Sequence, residues 1–325
     1  MTENVKTKKS KTKKIAVIVL FTFIGLLMGS LILIPVFVMP VFLGQRYEQR
    51  QFDSIEFGIE SERVTITTDD SLALAAWRTK ARNGAAKGTV IILSGIQNPS
   101  VTAFFGYAKM FSDNGWDTLL IEMRARSQSE GDEIGLGMTE WLDVKAGVDF
   151  LSFDENVKNL PIVAMGTSMG GGTVIIAAGE LPRINAVISV AAFSSFADLF
   201  VDNMSMSGMP KFLGIMDIPF LNLYIGLHFG FDALKYSPIK GIAKLGERPI
   251  LMMHSTGDTQ VPYSEFEKLL KTAESKGGQP VTFIREGDFH FICYDQYFDE
   301  PAQDTEFSQA IIHFLADNFE LGMKK

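Results

Sequence analysis

One serine in this chain sits between glycines two residues away on either side, Gly166-Thr167-Ser168-Met169-Gly170, with Gly171 and Gly172 following directly. A serine hydroxyl attacks a carbonyl carbon only when a base takes its proton, and the usual base is a histidine with a carboxylate behind it. The chain has four histidines. His228 lies in an aromatic-rich stretch and His313 in a helical pattern, so both read as packing or surface residues. His254 ends the apolar run PILMMH and reads as shaping the loop that follows. His290, in REGDFHF just beyond the last apolar run, is the best base. Asp258, in HSTGDTQVP, is preferred as its carboxylate over Glu286 and Asp288. Those two stand so close to His290 in sequence that a second loop is the better source of support. A glycine-flanked serine arises by chance about 0.2 times in a chain of this composition, so the surrounding elements must decide its meaning.

Those elements alternate. RVTIT (63–67) and LALAAWRT (72–79) read as short strands joined by the turn residues Asp69-Asp70-Ser71, a β-hairpin. TVIILSG (89–95) is the continuous apolar run of a buried parallel strand, and DTLLIEM, PIVAMG, AVISVAAF, PILMMHS and VTFIRE follow in order. Helical patterns lie between them, at 139–151, after Ser168, at 263–276 and at 307–319. Strands alternating with helices imply right-handed crossovers and a mainly parallel sheet covered on both faces. Ser168 then falls where PIVAMG ends and SMGGGTVIIAAGEL begins a helix, the strand-to-helix turn that a nucleophile elbow requires. Residues 194–248, rich in Phe, Leu and Met, form an insertion expected to cap the serine. Met204, Met206, Met209 and Met216 either line an adaptable acyl pocket there or join cap helices to the core. Asn203-Met204-Ser205 matches a glycosylation sequon, with nothing to indicate a host that would use it.

Ahead of this body, residues 15–45 contain no charge, and about 20 apolar residues suffice to cross a bilayer. An uncleaved anchor is preferred to a cleaved signal peptide, because the run is long and no Ala-x-Ala site follows it. Pro35 and Pro40 are expected to kink or end the helix near its far side. Six lysines precede the span and only Arg46 and Arg50 follow closely, which places the N-terminus in the cytoplasm and the body outside the plasma membrane. The first fourteen residues carry +5 and the remainder −13, so nucleic acid is not the expected partner. The single cysteine, Cys293, cannot form an internal disulfide. The resulting division is a basic tail (1–14), a transmembrane anchor (15–43), a linker (44–62) and a catalytic domain (63–325).

From about Arg63 onward the sequence resembles the membrane-anchored bacterial α/β-hydrolases of the serine aminopeptidase-like and monoacylglycerol lipase-like branch. The resemblance is carried by the elbow, by PILMMHSTGDTQVP, and by MRARSQSEGDEIGLGMTEWLDVKAGVDFL, which matches the arginine-glycine loop and its following helix. The chain order Ser, Asp, His is that of the same fold. Two departures lie beside the site: Ser94-Gly95 stands where the family has His-Gly, and Arg124-Ala125-Arg126-Ser127 where it has Arg-Gly-His-Gly. Geometry and resemblance together put the oxyanion hole at the backbone amides of Met169 and Ile96. The implied activity is hydrolysis of a carboxylic ester with an apolar, lipid-like acyl part, without metal or organic cofactor. A peptidase, amidase or acyltransferase on the same triad, or a non-catalytic membrane-tethered binding protein, are the alternatives.

Overall fold

The computed structural model describes residues 2–44, 50–82, 84–96 and 100–320. Residues 45–49 of the expected linker and 97–99 of the loop after the third strand lie outside them.

Eight strands form one sheet in the order β1-β2-β4-β3-β5-β6-β7-β8. β1 (Glu62–Thr67) and β2 (Ala73–Thr79) make the expected antiparallel hairpin, and β2 pairs antiparallel with β4 (Asp117–Ile121). From β4 onward β3 (Thr89–Leu93), β5 (Ile162–Thr167), β6 (Ile184–Val190), β7 (Ile250–Ser255) and β8 (Val281–Arg285) run parallel. The unbroken apolar runs of the central strands have a direct cause. Ile91, Leu93, Leu119, Ile121 and Ala164 feed one core layer, while Val90, Ile92, Leu120, Val163 and Met165 feed the other. Because side chains alternate at period 2, a strand buried on both faces is apolar at every position.

Helices α3 (Trp141–Ser152), α4 (Met169–Glu180) and α8 (Tyr263–Ser275) contribute to the first layer, and α2 (Phe105–Asp113) and α9 (Thr305–Phe319) to the second. The segment between β6 and β7 holds α5 (Phe196–Met206), α6 (Lys211–Phe229) and the short α7 (Pro238–Ile242). The fold places Ser168 at the carboxyl edge of the parallel strands, where open α/β sheets bind their ligands.

A single helix, α1, runs from Thr2 to Leu43, through the lysine run and through both Pro35 and Pro40. Each proline removes one hydrogen bond donor, but Pro35 belongs to a stripe with Leu31, Met39 and Leu43 that is buried against the domain. That packing supports the helix past the missing bonds, and Gly44 N–H closes its end on the Pro40 carbonyl at 3.0 Å. Residues Lys13–Val41 of α1 are long and apolar enough to cross a membrane.

Candidate active site

Ser168 stands between β5 and α4 with φ 57° and ψ −119°, a left-handed backbone conformation that a non-glycine residue holds only when its surroundings force it. Its N–H donates to the Val190 carbonyl on the neighbouring strand at 2.8 Å, and its own carbonyl accepts from Gly172 at 3.0 Å. The flanking glycines are required by space. A Cβ at position 166 would lie 2.2 Å from the Gly170 carbonyl oxygen, and one at position 170 would lie 2.4 Å from that of Ser94. α4 begins at Met169, so the amide of Met169 is among the helix's first N–H groups, which have no acceptor within the helix. Ile96, the other expected oxyanion donor, lies with Ser168 and Met169 on the wall of one pocket.

Asp258 and His290 come from the loops after β7 and β8. His290 Nδ1 is 2.8 Å from Asp258 Oδ2, and both residues are buried. The other carboxylate oxygen, Oδ1, accepts from the amides of Gln260 at 2.8 Å and Val261 at 2.9 Å. Burial would push the Asp258 carboxyl up, but the His290 ring and these two amides outweigh it and hold it below the ordinary carboxylate range. The rival carboxylates are placed elsewhere. Asp288 is exposed and accepts from Thr259, from Oγ1 at 2.9 Å and from N–H at 3.2 Å, and Glu286 is exposed as well.

The remaining histidines also have places. His254 is fully buried, 2.9 Å through Nε2 from the Val261 carbonyl, so it braces the loop that carries Asp258. Burial lowers its pKa, keeping the ring neutral and Nε2 the donor. His228 contacts Glu133 at 2.6 Å, stacked on Tyr224, and His313 is exposed on α9.

Over the serine lies an apolar pocket of about 410 Å³. Its walls include Phe193, Phe196, Leu199 and Phe200 from the end of β6 and α5, Leu136 from the loop before α3, and Val261 from the aspartate loop. None of the described residues lining it is charged; Asn203, Ser207 and Gln260 join Ser168 as its polar members. Of the four cap methionines, Met204 and Met209 line the pocket, whereas Met206 and Met216 are exposed and lie outside its lining.

Three features of the site escaped the sequence. The first is Val38, a residue of α1 that reaches the pocket wall; a residue in an uncharged run carries no mark of such a contact. The second is Glu140, fully buried, whose carboxylate accepts from Gly135 at 2.6 Å and Gly137 at 2.7 Å and so clamps the loop presenting Leu136 at φ 54°. An acid between an apolar loop and a helix was the available signal. The third is the buried pair Arg285–Asp304, at 2.7 and 3.0 Å. Arg285 also donates to the Ile292 carbonyl at 2.5 Å, tying down the loop that carries His290. Arg124, matched by resemblance to a family loop, donates from N–H and Nε to Asp143 at 2.8 Å and fastens that loop to α3.

Comparison with known proteins agrees with this architecture. An uncharacterized Bacillus subtilis protein, YqkD, is 29% identical over 63% of this chain and 66% of its own length. A Salmonella typhi protein, YfhR, also uncharacterized, is 23% identical over 79% of this chain and 82% of its own. Among solved structures, the Pyrococcus furiosus esterase Pf2001 superposes with a TM-score of 0.65 at 20% identity, covering 85% of this chain and 99% of that one. The Pyrococcus horikoshii acylaminoacyl peptidase superposes at 0.61 with 14% identity, over 83% of this chain and 44% of its own. At such identities the superpositions speak for the α/β-hydrolase fold. The sequence profile of the prolyl oligopeptidase family matches residues 135–321, which include the elbow, both loops and the insertion between β6 and β7, and the chain belongs to that family.

Proposed function

We propose that the protein is a membrane-anchored serine hydrolase that cleaves carboxylic esters with an apolar acyl part through an acyl-enzyme on Ser168. The observation that carries the reading is the Asp258–His290 hydrogen bond at one edge of the sheet as the strained Ser168, in an apolar and uncharged pocket. With Nδ1 turned to Asp258, His290 has Nε2 left for proton transfer. Nε2 takes the Ser168 proton as Oγ bonds to the ester carbonyl carbon, and the amides of Met169 and Ile96 receive the oxyanion. Collapse breaks the bond to the alkoxy group, which leaves as an alcohol with the proton from His290. Water, deprotonated by the same nitrogen, then attacks the acyl-enzyme and releases the acid and free Ser168.

An ester is favoured over a peptide by the pocket's composition. A peptidase that reads a chain end needs a charged partner for the amine or carboxylate, and the described lining offers none. By the positive-inside rule, α1 anchors the domain on the outer face of the plasma membrane. The test is labelling of the purified chain by a fluorophosphonate. Ser168 is the expected site, and Ser168→Ala is expected to abolish labelling while leaving the circular dichroism spectrum unchanged. Undiminished labelling of the variant would remove Ser168 from the mechanism. A membrane-impermeant form of the probe, applied to spheroplasts, is expected to react as well, and its failure there alone would reverse the topology.

A further inference from the structure

We propose that the outward face of α6 lies in the acyl region of a lipid leaflet beside α1, and that the pocket over Ser168 takes its ester substrate from that leaflet, acyl chain first. The proposal deepens the hydrolase reading above and rests on α1 being the anchor.

From Ile15 to Ser30 α1 has no buried residue, a stretch of about 24 Å. The hydrocarbon layer is about 30 Å thick. The span is therefore completed only in the following turns, and there Leu31, Pro35, Met39 and Leu43 are already buried against the domain, with α6 packed on α1. An element touching α1 at that height is at the membrane boundary by continuity.

The composition of α6 suits that position. Its 19 residues are apolar enough to pass as a second membrane helix, yet Phe212, Ile215, Met216, Leu223 and Leu227 are exposed on it, Leu227 to 73%. Its two formal charges sit elsewhere: Lys211 at the first position reaches Asp202 of α5 at 2.8 Å, and Asp217 is fully buried. A helix with an apolar face this bare belongs in an interface.

The pocket connects to the same place. α1 supplies Val38 to its wall, the α5–α6 turn supplies Ser207 and Met209, and the Leu43 carbonyl at the end of α1 accepts from Ile134 at 3.1 Å in the loop that presents Leu136. The wall nearest the leaflet is thus built from the anchor and the cap, and an acyl chain leaving the bilayer meets apolar side chains from its first carbons onward.

The full chain, reconstituted in dioleoylphosphatidylcholine vesicles, tests this directly. A nitrobenzoxadiazole label on Leu227→Cys is expected to be blue-shifted and quenched by lipids brominated in the acyl chain; native Cys293, 1% exposed, stays unlabelled. The same label on Phe153→Cys, 86% exposed beyond α3, reports water, and on Leu20→Cys it reports insertion of the anchor itself. Quenching at Leu20 but not at Leu227 overturns the inference and leaves the anchor standing. Quenching at neither overturns both. A Leu227 label shielded from water yet untouched by brominated lipid means that a second copy covers α6, and again the inference falls. In activity, Leu223→Asp with Leu227→Asp is expected to lower turnover of dioleoylglycerol in vesicles about tenfold or more while p-nitrophenyl acetate changes less than about twofold. Equal loss on both substrates would assign α6 a merely structural role.

Discussion

The floor and the roof of the pocket are built on opposite principles. On the floor, the loops bearing Asp258 and His290 are sewn together by polar ties: both oxygens of Asp258 are satisfied, Gly257 N–H donates to the Gly287 carbonyl at 2.8 Å, and Arg285 bridges Ile292 to Asp304. The roof, made by the end of α1 with α5 and α6, is tied by fewer polar bonds, among them Lys211 to Asp202 at 2.8 Å, rests more on apolar contact and leaves large side chains bare. Its one buried acid in α6, Asp217, has no hydrogen-bond partner among the described residues. For the hydrolase proposed above, the contrast fits a division of labour. Proton transfer tolerates little misplacement, so the floor is pinned by directional bonds. Contacts that are non-directional suit a roof that must accept flexible chains.

The sharpest way to break the comparison is at the acid. If Asp258 orients His290 and stabilises the imidazolium, Asp258→Asn is expected to lower kcat on p-nitrophenyl esters by about 10⁴, as in a comparable triad. Asp288→Asn, whose carboxylate accepts from Thr259, is expected to change it less than about threefold. If Asp288→Asn proves the crippling change and Asp258→Asn stays active, the floor has been assigned to the wrong loop.

Backbone crowding gives the next largest effect. Gly166→Ala drives a methyl into the Gly170 carbonyl carbon at 2.3 Å, with no flexible side chain to yield, and is expected to cost about 3 kcal/mol or more and to abolish labelling of Ser168. Gly25→Ala in α1 has nothing within 4 Å and is expected to cost nothing. Urea titration of both variants separates them.

The same contrast explains what the sequence revealed. The strand-to-helix turn at Ser168 and the parallel sheet were legible because each depends on local chemistry: glycine where backbones nearly touch, apolar runs where both faces of a strand are covered. Arg285–Asp304 was not, since nothing in either neighbourhood announces a partner 19 residues away. Nor was the continuation of α1 through Pro35 and Pro40, because long-range packing on Leu31, Met39 and Leu43 offsets the lost hydrogen bonds. The roof was hidden more deeply than the floor for one reason. Apolar residues look alike whether they meet lipid, a core or a substrate, so Val38 and Met216 could not be told apart by type.

Acid should loosen the floor, and with it the roof at Asp202, where Lys211 and Lys268 outweigh burial and hold the carboxyl below its ordinary range. Burial raises the Asp304 carboxyl, but Arg285 and the amides of Tyr294 and Phe307 reverse that and hold it, like Asp258, below the usual range. A carboxylate with a depressed folded pKa contributes stability that is present above its unfolded value, about 3.9, and is lost as pH falls through the folded one. Both groups therefore act in the same direction, and melting temperature is expected to decline below about pH 4. Asp304→Asn should be less stable at neutral pH and show a shallower acid decline; an unchanged decline would remove this pair from the floor's account.

The smallest effect sharpens the roof. Val38 is the place where α1 reaches the wall of the pocket proposed for the substrate, so enlarging it removes volume from the roof without disturbing the bonds below. Val38→Phe is expected to leave kcat/KM for p-nitrophenyl acetate nearly unchanged, since a two-carbon acyl group occupies little of a pocket of about 410 Å³. For long acyl chains the displaced methylenes lose apolar burial, each worth about 0.8 kcal/mol, so two of them shift the long-to-short preference roughly tenfold. The change should fall on KM and kcat/KM more than on kcat, because the acyl tail is bound alike in ground and transition states. If Val38→Phe instead lowers kcat equally for every chain length, α1 acts through the Ile134 tie on the Leu136 loop and not as a wall of the pocket, and the floor and roof are one mechanical unit.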